Sequence, residues 1–220
     1  MKTYPTYKDS GIAWIGRIPE KWKILRGKYL FRNGKETNVG MRVKHILSLT
    51  LNGVTNRDTE DHSRLSPSDY ATYQIFEKGD LVFKLIDLEN FQTSRVGIVD
   101  EQGIMSPVYI RLRAIENIVN RFFYYQYYDL YNKRIYNALG YGVRASLSAP
   151  ELLHIQLVVP EVDEQEAIVY FLDTKLKEID EAFEKNDRIF GSSDRKNGLL
   201  LEYKKTLISE AVTGKIDVRK

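Results

Sequence analysis

Along the last quarter of the chain, apolar positions recur at a fixed interval. Leu172, Ile179, Leu200 and Leu207 fall on strict seven-residue steps that also pass through Asn186 and Ser193. Val169, Leu176, Phe183 and Phe190 form the neighbouring row. A stripe of that period faces a second helix rather than a globular core, so it predicts a coiled-coil helix. The sequence shows one such helix, and its partner is expected from another chain. The stretch Gly191-Ser192-Ser193-Asp194-Arg195-Lys196-Asn197-Gly198 is a poor helix former, yet the heptad phase is the same on both sides of it. A continuous, locally loosened helix over 163–212 is therefore expected, on the order of 75 Å long.

Upstream the period changes. Leu81-Val82-Phe83-Lys84-Leu85-Ile86 after the turn Lys78-Gly79-Asp80, and Ser94-Arg95-Val96-Gly97-Ile98-Val99, read as strands. So do His45–Leu51, Val108–Arg113 (with Arg111 and Arg113 on one face) and Ile155–Val159, which Pro160 stops. Trp22–Phe31 predicts a strand or a short helix. Residues 117–139 carry Phe122, Phe123, Tyr127, Leu130 and Tyr131 at helical spacing, an aromatic face suited to core packing. The fold class expected is α+β: a mixed α/β domain over residues 1–160, a long coiled-coil helix over 161–214, and a short tail over 215–220.

Composition narrows the class. A 43% hydrophobic fraction marks a folded protein, and the absence of cysteine excludes disulfides and thiolate metal sites. No apolar run approaches a membrane span, so a cytoplasmic location is expected. The net charge of +3 hides an asymmetry: residues 1–57 hold 12 Lys/Arg against 3 Asp/Glu, whereas 161–220 hold 11 against 14. A basic front suits an anionic partner, and an acidic helical tail suits a protein. His45, His62 and His154 are scattered, and no metal site is expected. There is no phosphate-binding loop, and Glu202-Tyr203-Lys204 reads as a solvated helical face rather than a nuclease fragment. No catalytic residue is assigned.

Several segments together resemble a known family. They are Ser10-Gly11, Trp14-Ile15-Gly16, Ile18-Pro19 and Trp22 at the start; Gly79–Phe83 and Thr93–Gly97; Gly142-Val143-Arg144 with Ser146-Leu147; Val159-Pro160 with Glu164-Gln165, Ile168 and Phe171-Leu172-Asp173; and Leu207–Asp217. In this order they resemble the DNA-specificity subunits of type I restriction–modification systems. The resemblance implies a non-catalytic target-recognition domain on double-stranded DNA, methyltransferase and motor-nuclease subunits as partners, and S-adenosylmethionine bound by the methyltransferase. Such subunits normally hold two recognition domains and two long helices. This chain has one of each and no internal repeat, which implies pairing with a second copy of itself or with another half-subunit.

In a homodimer, Leu172 would face Leu200 and Ile179 would face Ser193 about a two-fold near Asn186. That residue either bonds its own mate or points to solvent. Leu172, Leu176, Ile179, Phe183, Asn186, Phe190, Leu200 and Leu207 are the expected dimerisation positions. Base reading calls for Arg or Lys to guanine and Asn or Gln to adenine. Arg42, Lys44, Asn52, Asn56, Arg57 and Arg64 in the polar region, Lys84, Asn90, Gln92 and Arg95 around the strand pair, and Tyr141 and Arg144 in the glycine loop are the candidates. A rival reading is a protein-only adaptor that binds methyltransferase without reading DNA.

Overall fold

A computed structural model of the chain describes residues 2–57, 70–89, 95–115, 117–140, 145–190 and 194–219, leaving aside the side chains of 186–190 and 194–197. Short strands β1 (Tyr7–Asp9), β2 (Arg17–Pro19) and β3 (Lys23–Arg26) open the chain. Strands β4 (Phe31–Asn33), β5 (Leu47–Thr50), β6 (Gly53–Asn56), β7 (Gln74–Phe76), β8 (Leu81–Phe83), β9 (Val96–Ile98), β10 (Gly103–Met105) and β11 (Ile110–Ala114) follow. Helices α1 (Asn120–Asn132), α2 (Ile135–Leu139) and α3 (Ala149–His154) precede β12 (Gln156–Val159), α4 (Val162–Phe190) and α5 (Asp194–Val212). The α+β class expected from the sequence is the one observed. The chain divides into two compact units, Arg26–Ile155 and the combination of Met1–Leu25 with Gln156–Lys220. The first 25 residues thus group with the helices, not with the domain the sequence assigned them to.

In the unit Arg26–Ile155, an antiparallel sheet runs in the order β4-β11-β8-β9. All three residues of β8 are buried, because both faces of the strand are covered. On one face, Phe83 meets Tyr127 edge-on at 5.0 Å between centroids and Phe31 meets Phe123 at 5.5 Å, which seats α1. On the other, Val82 clusters with Leu47, Leu49, Phe76, Val99 and Met105, which seats the β5/β6 and β7/β10 pairs. The approach is close enough to need a glycine in β9. A Cβ on Gly97 would lie 2.7 Å from Leu49 Cδ1 and 2.8 Å from Val54 Cγ2.

The helix expected over 117–139 is two helices. Arg134 takes a left-handed conformation, φ 57°, between α1 and α2. That turn brings Tyr136 into the core, where its hydroxyl donates to Tyr127 O at 2.8 Å. Helix α3 was not expected, although Ser148-Ala149-Pro150-Glu151 carries a capping box with proline in the first turn.

In the other unit, β1 pairs with β2, and β12 with β3. Helix α4 starts after Pro160, whose carbonyl accepts from Gln165 Nε2 at 2.9 Å. Asp163 and Glu164 sit in its first turn, where negative charge meets the positive end of the helix dipole. Helix α5 ends in a Schellman cap: Lys215 N–H bonds Glu210 O at 2.7 Å and Gly214 N–H bonds Ala211 O at 3.2 Å. Gly214, at φ 71°, lies directly against Pro19 and Trp22, so no Cβ fits there. The motif at the chain's end and the motif at its beginning therefore form one joint. Asp217 N–H bonds Lys2 O at 2.9 Å, and Lys215 Nζ reaches Arg17 O.

The expectation of one continuous helix is corrected. Helix α4 is described to Phe190 and α5 from Asp194, and α5 runs back along α4. Lys204 Nζ sits 2.6 Å from Asp180 Oδ1, whereas 24 residues of continuous helix would separate them by about 36 Å. The expectation that another chain must close the seam falls with it, because α5 supplies the second helix. Leu172, Ile179 and Leu207 are buried within the chain, and Leu176, Phe183 and Leu200 are half-buried. The Asp180–Lys204 pairing puts Leu172 level with Val212 rather than with Leu200. A heptad stripe requires a helical neighbour but does not say which one. Gly191-Ser192-Ser193 disfavours helix, and a hairpin hides the seam at low loop-closure cost. Asn186, Phe190 and Ser193 have no described side chains.

Candidate nucleic-acid interface

The structure gathers four of the sequence candidates around the base of the β5/β6 hairpin. Arg42 and Lys44 are exposed on the segment leading into β5. Leu47 pairs with Asn56 at the end of β6, and Arg57 N–H bonds Ile46 O at 2.9 Å. Asn56 Oδ1 lies in hydrogen-bond contact with His45 Nε2, so Lys44, Asn56 and Arg57 meet at the base of the hairpin, with Arg42 two residues before Lys44. Asn52 lies at the opposite end, in a turn closed by Asn52 N–H to Thr50 Oγ1 at 3.1 Å and by Gly53 at φ 96°. The hairpin holds its position because Leu47 and Leu49 point into the core while Ser48 and Thr50 alternate outward. Arg42 leans on Glu36 at 3.2 Å, an exposed pair that leaves the guanidinium accessible. Arg57 is half-buried beside Tyr73, whose hydroxyl burial pushes up and Arg57 pulls down in pKa.

A second group of candidates lies around the end of β8. Lys84 is half-buried, and its N–H bonds Arg95 O at 3.1 Å. Arg95 is not a base-reading residue. It is 2% exposed, and its guanidinium donates to the carbonyls of Asp87 at 3.1 Å and of Ile86 and Leu88 at 3.4 Å. Burial lowers its pKa, opposed by Tyr131, Asp87 and Glu89. The residue caps the 86–88 turn, where Asp87 is left-handed at φ 52°. That turn also touches the segment after the glycine loop: Leu88 N–H bonds Ala145 O and Leu147 N–H bonds Leu85 O, both at 2.9 Å. A cleft of about 230 Å³ opens beside it, lined by Asn33, Lys35, Ile86, Val108, Tyr109 and Leu147 among others. Arg64, Asn90, Gln92, Tyr141 and Arg144 lie outside the described residues.

The arginine pair of β11 has a structural role that the sequence did not reveal. Arg113 grips Asp80 with two bonds, Nε to Oδ1 and Nη2 to Oδ2, each 2.9 Å. Arg111 is buried, donates to Ile75 O and lies 3.9 Å from Asp80. The Asp80 hydrogen bonds raise the pKa of Arg113, while burial lowers that of Arg111. Their placement on one face, readable from strand alternation, was the available signal; the buried aspartate partner was not. Sequence reasoning also passed over Asn38, fully buried at the root of the loop before Arg42. Among the described residues, no three His, Asp or Glu side chains are grouped to hold a metal ion. No helix there is long and apolar enough to cross a membrane. What the arrangement offers chemically is a rigid scaffold with amides and cations at one edge, suited to recognition of a polyanion.

Comparison with known proteins follows that reading. The family described as Type I restriction modification DNA specificity domain matches residues 22–190. No curated protein matches the chain. Among solved structures, one from work on complex assembly and conformational transition of the type I R-M system is similar at 14% identity and a TM-score of 0.51. The match covers 96% of this chain and 49% of that one. The type I restriction–modification S subunit from M. genitalium is similar at 14% identity and a TM-score of 0.48, covering 95% and 51%. The HsdS subunit from Thermoanaerobacter tengcongensis stands at 14% and 0.48, covering 96% and 48%. The chain thus spans about half the length of the solved structures it matches.

Proposed function

Because this chain belongs to the type I restriction–modification DNA-specificity family, we propose that it is a non-catalytic DNA-recognition subunit reading one half-site of a bipartite target. The family match across residues 22–190 is the observation that carries this reading. The hairpin base with Arg42, Lys44, Asn56 and Arg57 supplies the phosphate and base contacts, with Lys84 beside the 86–88 turn as a second point. Asn90, Gln92, Tyr141 and Arg144 complete the candidate set on sequence grounds. Methyltransferase subunits dock on the protein and bring S-adenosylmethionine, and motor-nuclease subunits bring cleavage. The complex works in the cytoplasm.

We further propose that a second copy or another half-subunit supplies the other reader. With Leu172, Ile179 and Leu207 already buried, the pairing uses what the α4/α5 hairpin leaves exposed. Tyr170 is 75% exposed, Leu199 66%, and Leu201 and Tyr203 are also on the surface.

The test is selection of bound sequences from a random duplex pool by the full chain, with and without methyltransferase, followed by titration against salt. Specific retention of a recurring half-site is expected, with affinity falling by orders of magnitude between low and physiological salt. Lys44→Ala should reduce the salt slope by about one. Failure to enrich any sequence under either condition removes the recognition reading.

A further inference from the structure

The loop before Arg42 is built more rigidly, and left more apolar on its surface, than folding requires. Asn38 is 0% exposed, and its side chain bonds both backbone groups of Val43: Oδ1 accepts from Val43 N–H at 2.9 Å, and Nδ2 donates to Val43 O at 2.8 Å. Its backbone N–H bonds Tyr73 O, and its carbonyl accepts from Met41 N–H, both at 2.8 Å. Between these anchors, Gly40 and Met41 are both left-handed, at φ 75° and 51°. Methionine rarely adopts that conformation, and such outliers persist only where surrounding contacts dictate them. The result is a projecting tip. Val39 is 69% exposed and Met41 53%, and a Cβ on Gly40 would meet nothing within 4 Å. Lys35, Arg42 and Lys44 flank the tip against one acid, Glu36, between residues 33 and 44.

We infer that this tip is an apolar wedge, with Met41 entering between adjacent base pairs of bound duplex and kinking it. Apolar side chains, methionine among them, act in this way in DNA-bending proteins, where cations on either side neutralise the phosphates that the kink draws together. A clamped loop meets the cost of unstacking without an added cost of ordering. The flanking charge selects duplex DNA as the occupant over an apolar protein groove. The inference rests on the recognition reading above and adds deformation of the target to it.

Met41→Gly tests it cleanly, because glycine suits φ 51° and leaves the Asn38 clamp intact while removing the side chain. The probe is a short duplex carrying the sequence selected by the wild-type chain, with end labels for energy transfer and 2-aminopurine placed at successive steps. The wild-type chain should draw the ends together and brighten one step. Met41→Gly should abolish both signals, lower specific affinity about tenfold, leave the salt slope unchanged and melt no lower than wild type. Met41→Leu should retain the kink. Binding without brightening, or a glycine variant that bends like wild type, overturns the wedge and leaves the recognition reading standing. Unchanged DNA binding with loss of methyltransferase co-elution reassigns the tip to a protein contact, also against the wedge. If the wild-type chain retains no duplex at all, both readings fall.

Discussion

Lys204 and Asp180, 24 residues apart in the chain, are joined at 2.6 Å across the α4/α5 hairpin. The pair is partly exposed to solvent and contributes about 1 kcal/mol, so it records the hairpin rather than holding it. What holds it is the burial of Leu172, Ile179, Leu207 and Ile208, each worth roughly 1.5–3 kcal/mol relative to exposure.

The hairpin has a direct distance test. The chain has no cysteine, so Lys177→Cys and Thr206→Cys can be spin-labelled alone. A continuous helix would place the two backbones about 44 Å apart. Packed helices with axes about 8–10 Å apart should instead give an electron–electron distance near 20 Å, and a dominant long distance would refute the fold of this unit.

Arg95→Ala should act on stability rather than on DNA contact. The guanidinium is buried against three carbonyls, and removing it takes this donor from Ile86 O and Asp87 O, while Leu88 O keeps Asn137 Nδ2 at 2.8 Å. A loss of about 3 kcal/mol in urea unfolding is expected. A variant with native stability and weakened duplex binding would return Arg95 to the recognition surface.

Gly97→Ala should loosen the seat of the β5/β6 hairpin. The added methyl meets Leu49 and Val54 inside ordinary contact distance, and overpacking of this kind costs about 1–3 kcal/mol. Hydrogen exchange should show the effect first in the amides of β5 and β6, and a uniform change across the unit would contradict this local account.

The C-terminal joint should respond to acid. Hydrogen bonds from Arg219 hold Asp217 below the ordinary carboxylate value of 3.8, and the same guanidinium lies 4.5 Å over the Tyr4 ring. A depressed carboxylate stabilises the folded state above its unfolded pKa, and that contribution is lost as pH falls through the folded one. Tail amides near Asp217 should therefore lose exchange protection below about pH 4. Asp217→Asn should weaken protection at neutral pH and flatten the acid limb. An unchanged profile in the variant would show that Asp217 does not anchor the tail.

Much of this was legible in the residues alone. Apolar runs beside turns located β8 and β9, and alternation located β5 and β11 and placed Arg111 and Arg113 on one face. Spacing located the buried rings of α1, and the ordered motifs carried the family. These are local or periodic signals, set by backbone geometry and by which side of an element meets water. The base of the β5/β6 hairpin was legible to the extent that Arg42, Lys44, Asn56 and Arg57 lie close in sequence to a strand that could be read.

What the chain could not reveal in one dimension is which surfaces meet. A seven-residue stripe requires a helical neighbour, and only the fold chose α5 of the same chain, which covers the seam without a second molecule. Arg95 has the composition of a base reader, and only its position over the Ile86, Asp87 and Leu88 carbonyls makes it a cap. Pro19, Trp22 and Gly214 read as separate motifs until packing brings the two ends together, with no room for a Cβ at the glycine. Sequence determined the elements and their faces; long-range packing, where burial outweighs local preference, determined their partners.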